Sequence, residues 1–155
     1  MKTFFYYFLF LILTACSSSD QVRIAKKATG PKQIYVSLQG DSFAIAVDLK
    51  EYLKKHGYDA VLSIEEGQRD VVRKKSSDVT EVIKNATTSA NRYELVFQFS
   101  MIQDRFFSIN SMIRDREQNE LIGTYRWQWN RMFPAPTVAE GLDMLNEKLL
   151  KPTFE

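Results

Sequence analysis

Polar and apolar positions alternate most regularly between residues 93 and 101, where Tyr93, Leu95, Phe97, Phe99 and Met101 are interleaved with Glu94, Val96, Gln98 and Ser100. A period of two predicts a strand with one face turned to a core. Gln103-Asp104-Arg105 then predicts a turn, Phe107, Ile109 and Ile113 a second strand, and Glu117-Gln118-Asn119-Glu120 a second turn. Residues 121–130 complete a three-stranded antiparallel meander, with Tyr125, Trp127 and Trp129 on one side. Pro134 and Pro136 end it. Thr137-x-x-Glu140 has the form of a capping box, and Val138, Leu142, Leu145 and Leu149 recur at helical spacing behind it.

Upstream, Ile34, Val36 and Leu38 alternate and predict a strand over 33–38. Gly40 breaks it, and Asp41 or Ser42 can cap a helix that runs to about His56, with Phe43, Val47 and the Ile45, Leu49, Tyr52, Leu53 set on its apolar side. Gly57 suits the left-handed residue that ends such a helix, and 58–62 predicts another strand, giving a compact βαβ unit. The signal then weakens. Residues 65–77 read as a loop, and Asp78-Val79-Thr80-Glu81 as the cap of a short helix. The expected fold is α+β: a mostly antiparallel, mixed sheet of about five strands with helices packed on one face, in the order β-α-β-(α)-β-β-β-α.

The amino-terminal pattern is of another kind. Met1, Lys2 and Thr3 lead into an unbroken apolar run, 4–13, which shows no polar face and ends at Leu13-Thr14-Ala15-Cys16. Residues 3–15 would make about 20 Å of helix at 1.5 Å per residue, short of the roughly 30 Å hydrocarbon core. A basic start, an apolar middle and small residues at the end form a secretory signal. The last four residues resemble the lipobox of bacterial lipoproteins. That resemblance implies cleavage before Cys16 and acylation of Cys16, with Ser17 after it implying the outer membrane as the default destination in a Gram-negative cell. Another extracytoplasmic leaflet is the alternative. The expected division is a signal over 1–15, a lipidated cysteine and flexible tether over 16–32, where Ser17-Ser18-Ser19 and Gly30-Pro31 fall, and a single domain over 33–155.

Order of elements, His56-Gly57-Tyr58 and the 115–123 hairpin are similar to several small envelope accessory lipoproteins. Among these are activators of peptidoglycan synthases, partners of outer-membrane assembly machines, and the amino-terminal domain of TolB. The similarity implies a fold class more than a role.

Charge and composition narrow the choice of chemistry. Without the signal, 20 basic residues face 19 acidic ones, which argues against a nucleic-acid surface. Cys16 is the only cysteine, so no disulfide or thiolate metal site is expected. His56 is the only histidine and stands where a helix C-terminus favours an imidazole. No nucleophile motif surrounds it, and no metal-ligand spacing or phosphate-cradling glycine run occurs. Asp104 and Asp115 read as turn residues at the two ends of one strand rather than as a hydrolytic pair.

Tyr125, Trp127 and Trp129 form either core or an exposed aromatic strip. Met132-Phe133-Pro134-Ala135-Pro136 has no periodic reason to be buried. Trp127, Trp129, Arg131 and Phe133 are therefore the candidate interaction surface. The function expected is that of a non-catalytic envelope lipoprotein that binds a protein partner, with no cofactor beyond the lipid on Cys16. A lipid- or glycan-binding lipoprotein and an envelope-polymer enzyme are the alternatives.

Overall fold

A computed structural model describes residues 20–40, 44–63 and 91–155. The signal, Cys16, the helix cap at Asp41 or Ser42 with Phe43 beside it, and the loop and short helix expected within 65–86 lie outside the described residues. The fold is α+β, a mixed six-stranded sheet with helices on one face. In chain order the strands are β1 (Gln21–Ile24), β2 (Gln33–Gly40), β3 (Asp59–Ser63), β4 (Tyr93–Ile102), β5 (Arg105–Asp115) and β6 (Glu120–Gln128). In space their order is β1-β6-β5-β4-β2-β3. Helix α1 (Ala44–Lys55) joins β2 to β3, and these two strands are parallel neighbours, as a βαβ unit requires. β4 lies parallel to β2 on its other side, while β4, β5, β6 and β1 are successively antiparallel.

Alternation decides which side chains enter the core. Ile34, Val36 and Leu38 of β2 and Leu95, Phe97 and Phe99 of β4 are buried. They meet Ile45, Leu49 and Leu53, which recur at helical spacing along α1, and Leu142 and Leu145 of helix α2 (Val138–Leu145). Gly57, at φ +80°, ends α1 in the left-handed conformation expected of it. Thr137 and Glu140 form the expected capping box: the Glu140 amide donates to Thr137 Oγ1, and the Thr137 amide donates to Glu140 Oε2 at 2.8 Å.

Four readings of the sequence are corrected. Val47, expected on the apolar side of α1, is exposed, because it stands about 200° round the helix from Ile45 and off the Ile45-Leu49-Leu53 line. The tether expected over 16–32 is, from Asp20 onward, part of the domain. Gln21-Val22-Arg23-Ile24 pairs with Arg126-Tyr125-Thr124-Gly123 as an edge strand, and Ile24 and Ala28 pack on the core. The Ala28 amide donates to the Thr153 carbonyl at 2.7 Å, and Tyr93 Oη both accepts from the Thr29 amide and donates to the Thr29 carbonyl. Four residues with only two apolar positions, Val22 and Ile24, are too short to establish a period, and only pairing with β6 makes them a strand.

The phase of β5 also differs. Pairing Ser100 with Ser108 gives way to pairing Met101 with Phe106, so Phe107 is an extra residue in a bulge. A bulge reverses the alternation beyond it. Phe106, not Phe107, therefore enters the core and joins Phe97 and Phe99 in an aromatic cluster. The last helix, finally, is not a single α-helix. It passes through a π-helical turn (Asn146–Leu150) before α3 (Lys151–Phe154). The wider turn brings Asn146 inward, where its Oδ1 accepts a 3.3 Å hydrogen bond from Tyr58 Oη, while Leu149 and Leu150 are both buried.

Candidate functional site

β6 leaves the sheet at Gln128, and the next residues are pinned at both ends. The Trp129 amide donates to the Phe107 carbonyl at 2.8 Å, and its indole stands edge-on to the Phe107 ring at 4.9 Å. Trp129 Nε1 donates to the Phe133 carbonyl at 2.7 Å, and the amides of Met132 and Phe133 donate to Oδ1 and the carbonyl of Asn130. The return to α2 is tied to β5: the Arg105 guanidinium donates to the Ala135 carbonyl, and the Phe106 amide to the Pro136 carbonyl. The backbone of 129–136 is thus held, while two large apolar side chains project from it. Met132 is 69% exposed and Phe133 66%. Ile102, 62% exposed, is the last residue of β4, at the neighbouring β4–β5 turn.

The four residues expected to form one surface therefore have different places. Trp127 lies opposite Ile109 and packs against the core. Trp129 is half-buried and fixes the loop. Arg131 and Phe133 are exposed. Of the aromatic row, Tyr125 is fully buried. Ile102 joins this end without a clear sign in the sequence, where it falls between the alternation over 93–101 and the Gln103-Asp104-Arg105 turn; that turn is the signal that could have marked it.

The same end receives the chain's amino-terminal side. β1 runs antiparallel to β6 with Gln21 opposite Arg126, so Asp20 precedes β1 at the end where β6 finishes. Lys148 Nζ holds the Asp20 carboxylate at 3.1 Å.

The sheet's other face, on which no described helix packs, carries a polar row. Gln39, Gln98, Asn110 and Arg126 lie level across β2, β4, β5 and β6. Gln98 Nε2 donates to Gln39 Oε1, Asn110 Nδ2 to Gln98 Oε1 at 2.6 Å, and Arg126 Nε to Asn110 Oδ1 at 3.2 Å. Each amide is oriented by the next, which leaves a rigid polar stripe ending in an exposed guanidinium.

The residues weighed for catalysis are occupied elsewhere. His56 Nδ1 lies 2.8 Å from the Tyr52 carbonyl one turn back, and its ring stacks on Tyr52 at 4.1 Å. Asp104 sits in the exposed β4–β5 turn, at the opposite end of β5 from Asp115. Asp115 is 2% exposed, accepts from Arg92 Nη2 at 2.7 Å and Nε at 3.0 Å, and caps the amides of Glu117 and Gln118. The Arg92 hydrogen bonds hold its carboxyl below the usual carboxylate range, against the opposing effect of burial. Tyr52 Oη donates to Asp143 Oδ1 at 2.7 Å, and burial together with that carboxylate pushes its pKa well above the usual phenol value.

Tyr58, between α1 and β3, is pushed up to about 12, chiefly by burial. Among the described residues, no group of three or more His, Cys, Asp or Glu side chains is placed to hold a metal ion. Nor is any described helix long and apolar enough to cross a membrane.

No protein-family model and no curated protein matches the chain. Among solved structures it is similar to a point variant of the PelC dodecamer from Paraburkholderia phytofirmans, with 8% identity, a TM-score of 0.47, and coverage of 88% of this chain and 95% of that one. It is also similar to a second PelC dodecamer from the same organism, with 10% identity, a TM-score of 0.43, and coverage of 86% and 94%.

Proposed function

We propose that this chain is an envelope lipoprotein, held by acylated Cys16 on the periplasmic face of the outer membrane, which acts by binding a protein partner rather than by catalysis. The observation that carries the reading is the run Leu13-Thr14-Ala15-Cys16 standing four positions before Asp20, the first of the described residues. Several acyl chains hold a protein on a membrane stably where one does not. The Gln39-Gln98-Asn110-Arg126 stripe supports the binding role, because preoriented amides and a terminal arginine meet a polar partner with little further ordering. His56, Asp115 and Tyr52 are each engaged in local structure, which also favours binding over catalysis.

Two measurements test the reading. Metabolic labelling with a clickable fatty acid should mark the intact protein and fail on Cys16→Ser; label retained by the variant sinks the anchor. Crosslinking from membranes should recover a defined envelope protein with the intact chain. Arg126→Glu should lose that protein at an unchanged melting temperature. Recovery undiminished by this change removes the stripe as the contact.

A further inference from the structure

We propose that the end of the domain bearing Ile102, Met132 and Phe133 rests directly on the lipid surface, with these three side chains entering the boundary between headgroups and acyl chains. The proposal rests on the lipoprotein reading of Cys16 and adds to it an orientation and a second, non-covalent contact.

Three observations converge on it. Ile102, Met132 and Phe133 are the most exposed large apolar side chains among the described residues, at 62%, 69% and 66%. They come from two segments that the fold brings to one end: the last residue of β4, at the β4–β5 turn, and the loop that follows β6 and is tied back to Arg105 and Phe106 at the start of β5. The loop backbone is pinned by Trp129 and Asn130, so the outward direction of Met132 and Phe133 is built in.

The third observation is where the chain arrives. Asp20 precedes β1 at this same end, and Cys16 is four positions earlier. Even fully extended, four residues reach no more than about 14 Å. An acyl group at Cys16 therefore keeps this end within about 14 Å of the bilayer and leaves the β5–β6 turn, with Leu121 beside it, facing away. At such range the local concentration of lipid makes a weak apolar contact intramolecular in effect.

The side-chain chemistry suits a lipid boundary. Apolar groups of this size gain by leaving water. Arg131, exposed beside them, can lie among the phosphates. Trp129 presents an amphipathic ring behind the loop. The strands then stand along the membrane normal, and the Gln39-Gln98-Asn110-Arg126 stripe faces sideways, toward anything alongside.

The test uses the full, membrane-processed protein in vesicles of phosphatidylethanolamine and phosphatidylglycerol. The photoreactive residue benzoylphenylalanine is placed at Phe133 in one sample and at Leu121 in another. Leu121 is half exposed at the opposite end of the sheet and serves as the control. After illumination the mass of each adduct identifies what touched the probe. Lipid adducts at 133, at least about tenfold more abundant than at 121, are expected. They should fall severalfold when Ile102→Ser and Met132→Ser are added to the Phe133 probe.

Equal labelling at the two positions, no adduct at 133, or an adduct to a second copy of the chain overturns the proposal. So does an adduct to another protein when the Phe133 probe is illuminated in native membranes. The mass of the peptide containing Cys16, from the same digest, reports the anchor separately. Acylated Cys16 with a lipid-free probe at 133 sinks only the surface contact. Unmodified Cys16 with lipid on the probe sinks only the anchor.

Discussion

Gly141 of α2 lies so close to the Phe106 ring that a β-carbon at this position would stand 2.1 Å from Phe106 Cδ2 and 2.4 Å from Cε2, far inside van der Waals contact. Phe106 is fully buried and belongs to the aromatic cluster with Phe97 and Phe99, so its ring has no room to withdraw. The glycine lets the helix approach β5, and the bulge at Phe107 is what turns Phe106 toward it.

That contact decides the sign of Gly141→Ala. In an exposed helix interior the change would stabilise by about 1 kcal/mol through helix propensity. Here overpacking costs about 1–3 kcal/mol and wins. The expected outcome is a lower melting temperature for Gly141→Ala, partly restored by Phe106→Leu in the double variant. A melting temperature raised by Gly141→Ala would mean that the helix can lift without loss.

Ser111 and Tyr125 face each other across β5 and β6, are buried, and have hydroxyl oxygens without a hydrogen-bond partner among the described residues. Burial pushes the Tyr125 pKa upward, with the nearby Asp20 carboxylate adding to the effect. A buried hydroxyl left unmatched is destabilising by about 1–3 kcal/mol, whereas the same shape without it is not. Tyr125→Phe and Ser111→Ala should each hold or raise the denaturant midpoint. A fall of more than about 1 kcal/mol in either would point to a partner for that hydroxyl.

Leu145 is buried at the C-terminal end of α2, on the apolar stripe between Leu142 and Leu149. Leu145→Ala should destabilise by about 2–5 kcal/mol through the cavity it leaves. The useful control is Glu147→Ala, since Glu147 is exposed and its i,i+4 pair with Lys151 is worth only a few tenths of a kcal/mol. Asn146, which helical spacing would put on the polar side, is a poor control because the π-helical turn buries it against Tyr58.

Asn146 marks a boundary that runs through the whole fold. Strong periodicity makes β2, α1, β4 and the capping box at Thr137 legible in the amino-acid sequence, because each is set by its own residues. What escapes depends on a neighbour. Phe107 reads as inward until the bulge with Ser100 and Met101 displaces it, and β1 becomes a strand only against Gly123 to Arg126. The candidate site is half legible. Phe133 stands out because neither period asks for an apolar side chain there. Ile102 does not stand out, and the inward turn of Trp127 depends on the side of the sheet that the helices cover.

The last prediction concerns acid stability. Asp115 is buried, bound twice by Arg92, and accepts the amides of Glu117 and Gln118, so its carboxyl titrates below the unfolded value of about 3.9. A group whose folded pKa is depressed contributes stability fully above the unfolded pKa and loses it as pH falls through the folded one. The contribution of Asp115 should therefore be whole at pH 7 and fade below about pH 4. Glu140 acts in the same direction, its carboxyl held down first by the hydrogen bond from the Thr137 amide.

Asp115→Asn should be less stable than the parent at pH 7 and should lose less on acidification, so the two denaturation midpoints approach each other toward pH 2–3. Arg92→Gln should also be destabilised at pH 7 and begin losing stability at a higher pH than the parent, because removing the guanidinium raises the Asp115 pKa. Urea midpoints measured from pH 7 downward check both. If the Asp115→Asn and parent curves run parallel throughout, Arg92 is not what holds that carboxylate charged.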